Sequence, residues 1–87
     1  MTLRELMDGT DEIVLVDAEE SYGLRLVRHA DGRIDMADEG CADTGSDMAE
    51  TTCEAALAEV DNWLTCVEWE EGRDEALAHA RNALGLA

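Results

Sequence analysis

The feature that most constrains the fold of this 87-residue chain is residues 34–72, which hold twelve acids and no arginine, lysine or histidine. Carboxylates in such a stretch repel one another and stay in water, while the apolar residues between them need burial. The stretch therefore has to form elements with one apolar face and one acidic face, and such elements need a second layer to pack on.

The remainder of the chain is closer to neutral. Residues 1–33 contain eight acids and four arginines, residues 73–87 contain two of each, and the formal net charge is −16. That charge argues against direct binding to nucleic acid or anionic lipid, because both repel it.

The length fits a single domain over residues 1–87 with a small core. No apolar run is long enough to span a membrane and no basic leader precedes an apolar segment, so we expect a cytoplasmic protein.

The first part of the chain predicts a short helix followed by antiparallel strands. Thr2 and Glu5 form a capping-box pattern, and Gly9 is placed to end the helix. Residues 13–16 are an unbroken run of aliphatic side chains, which is typical of a strand buried on both faces. Residues 22–27 alternate in character and predict a half-buried second strand.

The register of the second and third strands follows from the turn between them. Asp31-Gly32 is typical of a hairpin, with the third strand at about residues 33–37. A two-residue loop would place the apolar side chains of the two strands on opposite faces of the sheet. A three-residue loop over residues 30–32, with Gly32 left-handed, places on one face Leu24, Leu26, Ile34 and Met36. One core face is needed, so we predict the three-residue loop.

Two helices complete the predicted fold. A helix capped by Ser46 or Asp47 is predicted to run to Gly72, and a shorter one to begin at Asp74 and end at Gly85. The predicted fold class is α+β, with a short N-terminal helix, a three-stranded antiparallel meander and two C-terminal helices packed on one face of the sheet.

The longer predicted helix carries an acidic ridge beside its apolar stripe. At about 100° per residue, four carboxylates fall within about 40° and a fifth lies about 20° beyond, along about 30 Å of helix. In chain order these five acids are Asp47, Glu50, Glu54, Asp61 and Glu68. The strand and loop before the helix add Asp35, Asp38, Glu39 and Asp43 as candidate partner-binding residues.

The ridge has two interpretations. Acids commonly fill the solvent face of an amphipathic helix and need no further explanation. However, Glu–Lys pairs would have stabilised the helix by a few tenths of a kcal/mol each, and none is present. Acids near the predicted C-terminus of the helix also oppose its dipole. A sequence that gives up these contributions fits selection for a negative field that binds a basic, phosphate-binding protein surface.

In these features the sequence resembles the small acidic anti-CRISPR proteins of phages and mobile elements. The shared features are short length, strong acidity, a small sheet with helices and the acids massed in residues 34–72. The resemblance implies a non-enzymatic inhibitor that imitates DNA, occupies the basic nucleic-acid-binding surface of a CRISPR effector complex and blocks target DNA binding. It rests on no diagnostic motif, so it transfers a function class without residue correspondences.

Two other functions fit the same charge pattern. An antitoxin or immunity-type protein that neutralises a basic nuclease or toxin would need a similar surface. Many acids with no lysine also fit a small protein adapted to high salt. In the anti-CRISPR and antitoxin interpretations the partner is a basic nucleic-acid-binding protein, and the chain acts as a monomer or homodimer.

Trp69 is the other candidate partner-binding residue. It lies off the apolar stripe of the predicted helix, among Glu68, Glu70 and Glu71. An exposed tryptophan within charged residues is typical of an interface hot spot. Alternatively, the helix frays or bends there and Trp69 covers the end of the core.

Nothing in the sequence predicts an enzyme, a metal site or a cofactor. Cys41, Cys53 and Cys66 form an odd set without a Cys-x-x-Cys motif, which indicates free thiols. His29 and His79 lie far from them in sequence, so neither zinc-ligand spacing nor a nucleophile pair is indicated. A chain with so small a core also has little room for a pocket holding two catalytic carboxylates.

Overall fold

The computed structural model describes residues 1–18, 21–38 and 47–86, without the side chains of Ser21 and Tyr22. Its elements are α1 (Leu3–Leu6), β1 (Glu12–Ala18), β2 (Ser21–Arg28), β3 (Ile34–Asp38), α2 (Cys53–Cys66) and α3 (Arg73–Ala83). The strands form one antiparallel sheet in the order β1-β2-β3. The predicted α+β fold, with one short helix before the sheet and two helices after it, is confirmed.

The β2–β3 hairpin has the predicted three-residue loop. The backbone N–H of Gly32 donates to the carbonyl of His29 at 2.9 Å, and Gly32 adopts a φ of 87°. Leu26 lies opposite Met36 and Arg28 lies opposite Ile34. Directly opposed residues share a face of the sheet, so the apolar side chains of both strands point to one side.

That side of the sheet packs with all three helices in one core. The largest buried side chains come from every layer of the fold: Leu3, Met7, Leu15, Leu24, Leu26, Ile34, Leu64 and Leu84. β1 is less buried than predicted, because Ile13 and Val14 are half-buried while Leu15 and Val16 are fully buried. The sheet therefore has its main apolar layer on the helix side.

The N-terminal segment is held by its cap and by residues 49–53. The predicted capping box of α1 is present, and acceptance of the Thr2 backbone N–H lowers the pKa of the Glu5 carboxyl. The backbone N–H of Leu3 donates to Thr51 at 2.8 Å, and that of Cys53 donates to the carbonyl of Met1 at 2.9 Å. These bonds hold the start of the chain beside the start of α2.

The predicted start of α2 is wrong. The helix begins at Cys53, where the Thr52 side chain accepts the backbone N–H of Ala55 at 3.1 Å. The preceding residues are extended or in turns because their backbone groups bond to the N-terminal segment and to β3. The predicted Ser46 cap lies outside the described residues, and Asp47 has a different role that is described below.

The predicted end of α2 is also wrong, because the helix stops six residues before Gly72. Glu68 adopts the left-handed conformation, with a φ of 56°. Its N–H donates to Thr65 at 3.2 Å, and the N–H of Trp69 donates to Leu64 at 2.9 Å. This is the Schellman pattern that ends helices, with glutamate at the position where glycine is usual.

Glycine occupies the equivalent position at the end of α3, where Gly85 has a φ of 73° as the sequence predicts. Gly72 is the residue before α3, with a φ of 76°, and α3 begins at Arg73. We call residues 67–72 the α2–α3 connection.

We expect the substitution Glu68→Gly to raise the free energy of unfolding by about 0.5–1 kcal/mol, because glycine adopts a positive φ without a Cβ clash. Urea unfolding followed by circular dichroism measures this change. Glu70→Gly is the matched control, since it removes the same charge at a residue without a positive φ. Equal stabilisation by both variants would show that charge relief, and not backbone conformation, is responsible.

Candidate protein-binding surface

The five acids predicted to lie along one helix do not share a helix. Glu54 and Asp61 lie on α2, whereas Asp47 and Glu50 precede it and Glu68 follows it. The helical projection fails because both predicted helix ends were wrong. α2 has 14 residues, so its length is about 21 Å rather than 30 Å.

Two of the predicted acids form ion pairs with arginine. Glu50 pairs with Arg4, and Asp61 pairs with Arg73. The Arg73 guanidinium also donates to the Thr65 hydroxyl at 2.8 Å, so it joins the last turn of α2 to the start of α3. Exposed pairs of this kind contribute little stability, but they offset the negative charge that a partner would meet.

Asp47 organises the backbone ahead of α2. Its carboxylate accepts the N–H of Ala49 at 2.9 Å and the N–H of Ile34, the first residue of β3, at 3.3 Å. Acceptance of the Ala49 N–H, and then of the Ile34 N–H, lowers the pKa of the Asp47 carboxyl. The carboxylate that was predicted for a partner thus joins β3 to the segment before α2.

Four further acids were predicted on the strand and loop before the helix. Asp35 is fully buried in the sheet, with a carboxylate oxygen 3.8 Å from Nε2 of His29, so it is not a surface residue. The strand register places it opposite Val27, on the other face of the sheet from Leu26 and Met36, with the His29 ring beside it. Asp38 is half-buried at the end of β3. Glu39 and Asp43 lie outside the described residues.

Trp69 is half-buried and packs against the core, which agrees with the second of its two interpretations. Its ring centroid lies 6.2 Å from that of Trp63, and the two ring planes are inclined by 42°. A tilted pair at this distance is a favourable aromatic contact. The Schellman turn at Glu68 directs the chain back so that the rings meet.

Trp69 nevertheless lines a surface cavity of about 350 Å³ together with Trp63, Val67 and Asp38. Val67 is 46% exposed, which is unusual for a large apolar side chain in this chain. The Nε1 atom of Trp63 is buried and has no hydrogen-bond partner among the described residues. The cavity is therefore lined mainly by apolar side chains, with Asp38 as its one acid.

Trp69 also lines a second cavity of about 300 Å³, which is acidic. Its carboxylates come from three places: Asp17 on β1, Glu71 in the α2–α3 connection and Glu75 in the first turn of α3. All three residues are exposed, and within residues 1–18, 21–38 and 47–86 none of them has an ion pair. We call this second cavity the Trp69 acidic cavity.

Sequence reasoning found part of this surface. Trp69 and its acidic neighbours stood out because an aromatic residue off the apolar stripe needs an explanation. Asp17 carried no such signal, since only the packing of α3 on β1 brings it near Glu75. The exposure of Val67 follows from the early end of α2 at Cys66.

Comparison with known proteins supplies no relative. No protein-family model matches the chain, and neither a curated protein nor a solved structure is significantly similar to it.

Within the described ranges no group of three or more histidine, cysteine or acidic side chains is arranged to hold a metal ion. None of the described helices is long and apolar enough to cross a membrane.

The bonds of Asp47 predict a pH-dependent contribution to stability. A lowered pKa in the folded state means that the contribution is present above the unfolded pKa of about 4 and is lost as pH falls through the folded pKa. We expect the stability difference between the native chain and Asp47→Asn to be constant near neutral pH and to shrink below about pH 4. Urea unfolding from pH 7 to pH 3 measures it.

Thr52→Ala is the control for this measurement. It removes an uncharged cap and costs about 1 kcal/mol. Its effect is independent of the carboxyl titration. If the stability difference from the native chain shrank in parallel for both variants as pH falls, the assignment to Asp47 would be contradicted.

Proposed function

We propose that this protein is a non-enzymatic inhibitor that occupies the basic nucleic-acid-binding surface of another protein. The observation that carries the proposal is a set of exposed acids without ion pairs in the described structure, of which three line a cavity with Trp69 and three lie within five residues of it in the chain. This set comprises Asp17, Glu68, Glu70, Glu71, Asp74 and Glu75. We name it the Trp69 surface. More specifically, we propose that the inhibited protein is a subunit of a CRISPR effector complex in the cytoplasm of a prokaryotic host.

Charge and aromatic character support binding in different ways. Uncompensated carboxylates attract a basic partner over a distance and raise the association rate. A tryptophan held by its neighbours supplies apolar contact area beside the charged residues, and tryptophan is enriched among interface hot spots. The Trp69 surface combines both.

The arrangement changes the kind of mimicry that we propose. A DNA strand presents one phosphate about every 3.4 Å, and a protein that copied it would need a long row of acids. The described acids are not in such a row, so we propose competition for a few cationic side chains within the DNA path. Blocking part of a continuous DNA path is sufficient to exclude DNA.

A competition experiment tests this function. Labelled target DNA is bound to a purified CRISPR effector complex at low salt, and the protein is added until saturation. We expect DNA to be displaced, with weaker displacement as salt is added, because the attraction is electrostatic. DNA binding that persists at saturation removes the CRISPR assignment. Inhibition of a purified basic nuclease in a parallel assay would then assign the antitoxin or immunity-type role.

Matched charge variants locate the surface. We expect Glu70→Lys/Glu71→Lys to weaken displacement about tenfold, which corresponds to about 1.4 kcal/mol. Asp8→Lys/Glu59→Lys changes the charge equally at exposed positions outside the Trp69 surface. Equal loss in both double variants would show that total charge, and not this surface, drives binding.

One observation favours a different explanation of the acidity, which is adaptation to concentrated salt. Exposed acids occur on the turn after α1, on β1, in the β2–β3 loop and on α2, as well as around Trp69. Spread acids repel one another at low salt and destabilise the compact state. This explanation predicts a melting temperature that rises steeply from low to multimolar KCl. A chain already folded at low salt, with little change on addition of KCl, would contradict it.

A further inference from the structure

We propose that the Trp69 acidic cavity binds an arginine side chain of the basic partner. This inference rests on the proposed function and specifies the chemistry of its contact. The occupant follows from charge complementarity, since the cavity combines an aromatic wall with the carboxylates of Asp17, Glu71 and Glu75. Cations bind over tryptophan rings and pair with carboxylates, so both elements favour the same ligand.

The aromatic wall is held in place before any ligand arrives. The N–H of Trp69 donates to Leu64, which fixes its backbone to the last turn of α2. Its ring packs on Trp63 and on the core. A ring that is already ordered loses little entropy when a cation binds it, so more of the interaction appears as affinity.

The carboxylates come from separate elements that the core holds together. Asp17 belongs to β1, Glu71 to the α2–α3 connection and Glu75 to α3, and α3 packs directly on β1. Carboxylates at several points of a cavity wall suit a guanidinium group, which presents five N–H donors in a planar fork. Lysine presents a compact charge that stacks less well on an aromatic face.

His79 also lines the cavity. Its Nδ1 lies 2.9 Å from the carbonyl oxygen of Leu15, and a carbonyl accepts only, so Nδ1 donates. In the neutral ring Nε2 is then an acceptor.

Binding of arginine is measured by titrating the full-length, ¹⁵N-labelled protein with N-acetyl-arginine amide at low salt. The chain has two tryptophans, so two indole N–H signals are expected, and Trp69→Phe assigns them. We expect the Trp69 indole signal and the backbone signals of residues 71–76 to shift and to saturate. N-acetyl-citrulline amide has nearly the same shape without the charge, and we expect it to cause no saturating shift. N-acetyl-lysine amide should bind more weakly than the arginine probe.

Charge variants test the position of the contact. Glu71→Gln/Glu75→Gln should weaken arginine binding several-fold, whereas Asp8→Asn/Glu59→Gln loses the same charge outside the cavity and should change it little. The inference is overturned if the citrulline probe binds as well as the arginine probe. It is also overturned if both double variants weaken binding equally, or if the Trp69 signals do not shift.

A second copy of the chain is the competing occupant, because Arg81 is exposed and has no ion pair within the described residues. Shifts of the Trp69 signal on raising the protein concentration, abolished by Arg81→Gln, would overturn assignment to another protein.

The arginine titration contains no effector complex, so it is independent of the proposed function. Arginine binding without displacement of DNA would leave this inference standing and remove the proposed target. Displacement of DNA without arginine binding would leave the proposed function standing and overturn this inference.

Discussion

The end of α2 at Cys66 is the constraint on which the surface of this protein depends. Glu68 in the left-handed conformation turns the chain out of the helix, and the backbone bond from Trp69 to Leu64 closes that turn. The turn brings Trp69 onto Trp63 and moves the following acids next to the first turn of α3. A helix that continued to Gly72 would instead have carried these residues away from the core.

The arginines determine where negative charge remains uncompensated. Five of the six have an ion pair within the described residues, and these pairs join α1 to the segment before α2, β1 to β2, and α2 to α3. They offset charge on Glu50 and Asp61, two acids of the predicted ridge. The uncompensated acids next to Trp69 therefore carry the proposal, and the helix face does not.

The parts of the fold that sequence reasoning predicted correctly depend on neighbouring residues. The capping box of Thr2 and Glu5, the three-residue loop ending at Gly32 and the stop at Gly85 each follow from local backbone geometry. The ends of α2 were missed because distant groups compete for the same backbone. The N-terminal segment bonds to residues 49–53. The C-terminal end uses a glutamate where a glycine would have been the recognisable signal.

The sequence by itself determined the element order, the strand register and a large negative charge, because periodicity, turn residues and composition act locally or by simple addition. Only the tertiary structure decided which carboxylates are buried, paired or free, and that Asp17, Glu71 and Glu75 line one cavity with Trp69. The physical reason is that a carboxylate's availability depends on what packs beside it. Those neighbours come from β1, the α2–α3 connection and α3, elements far apart in the chain.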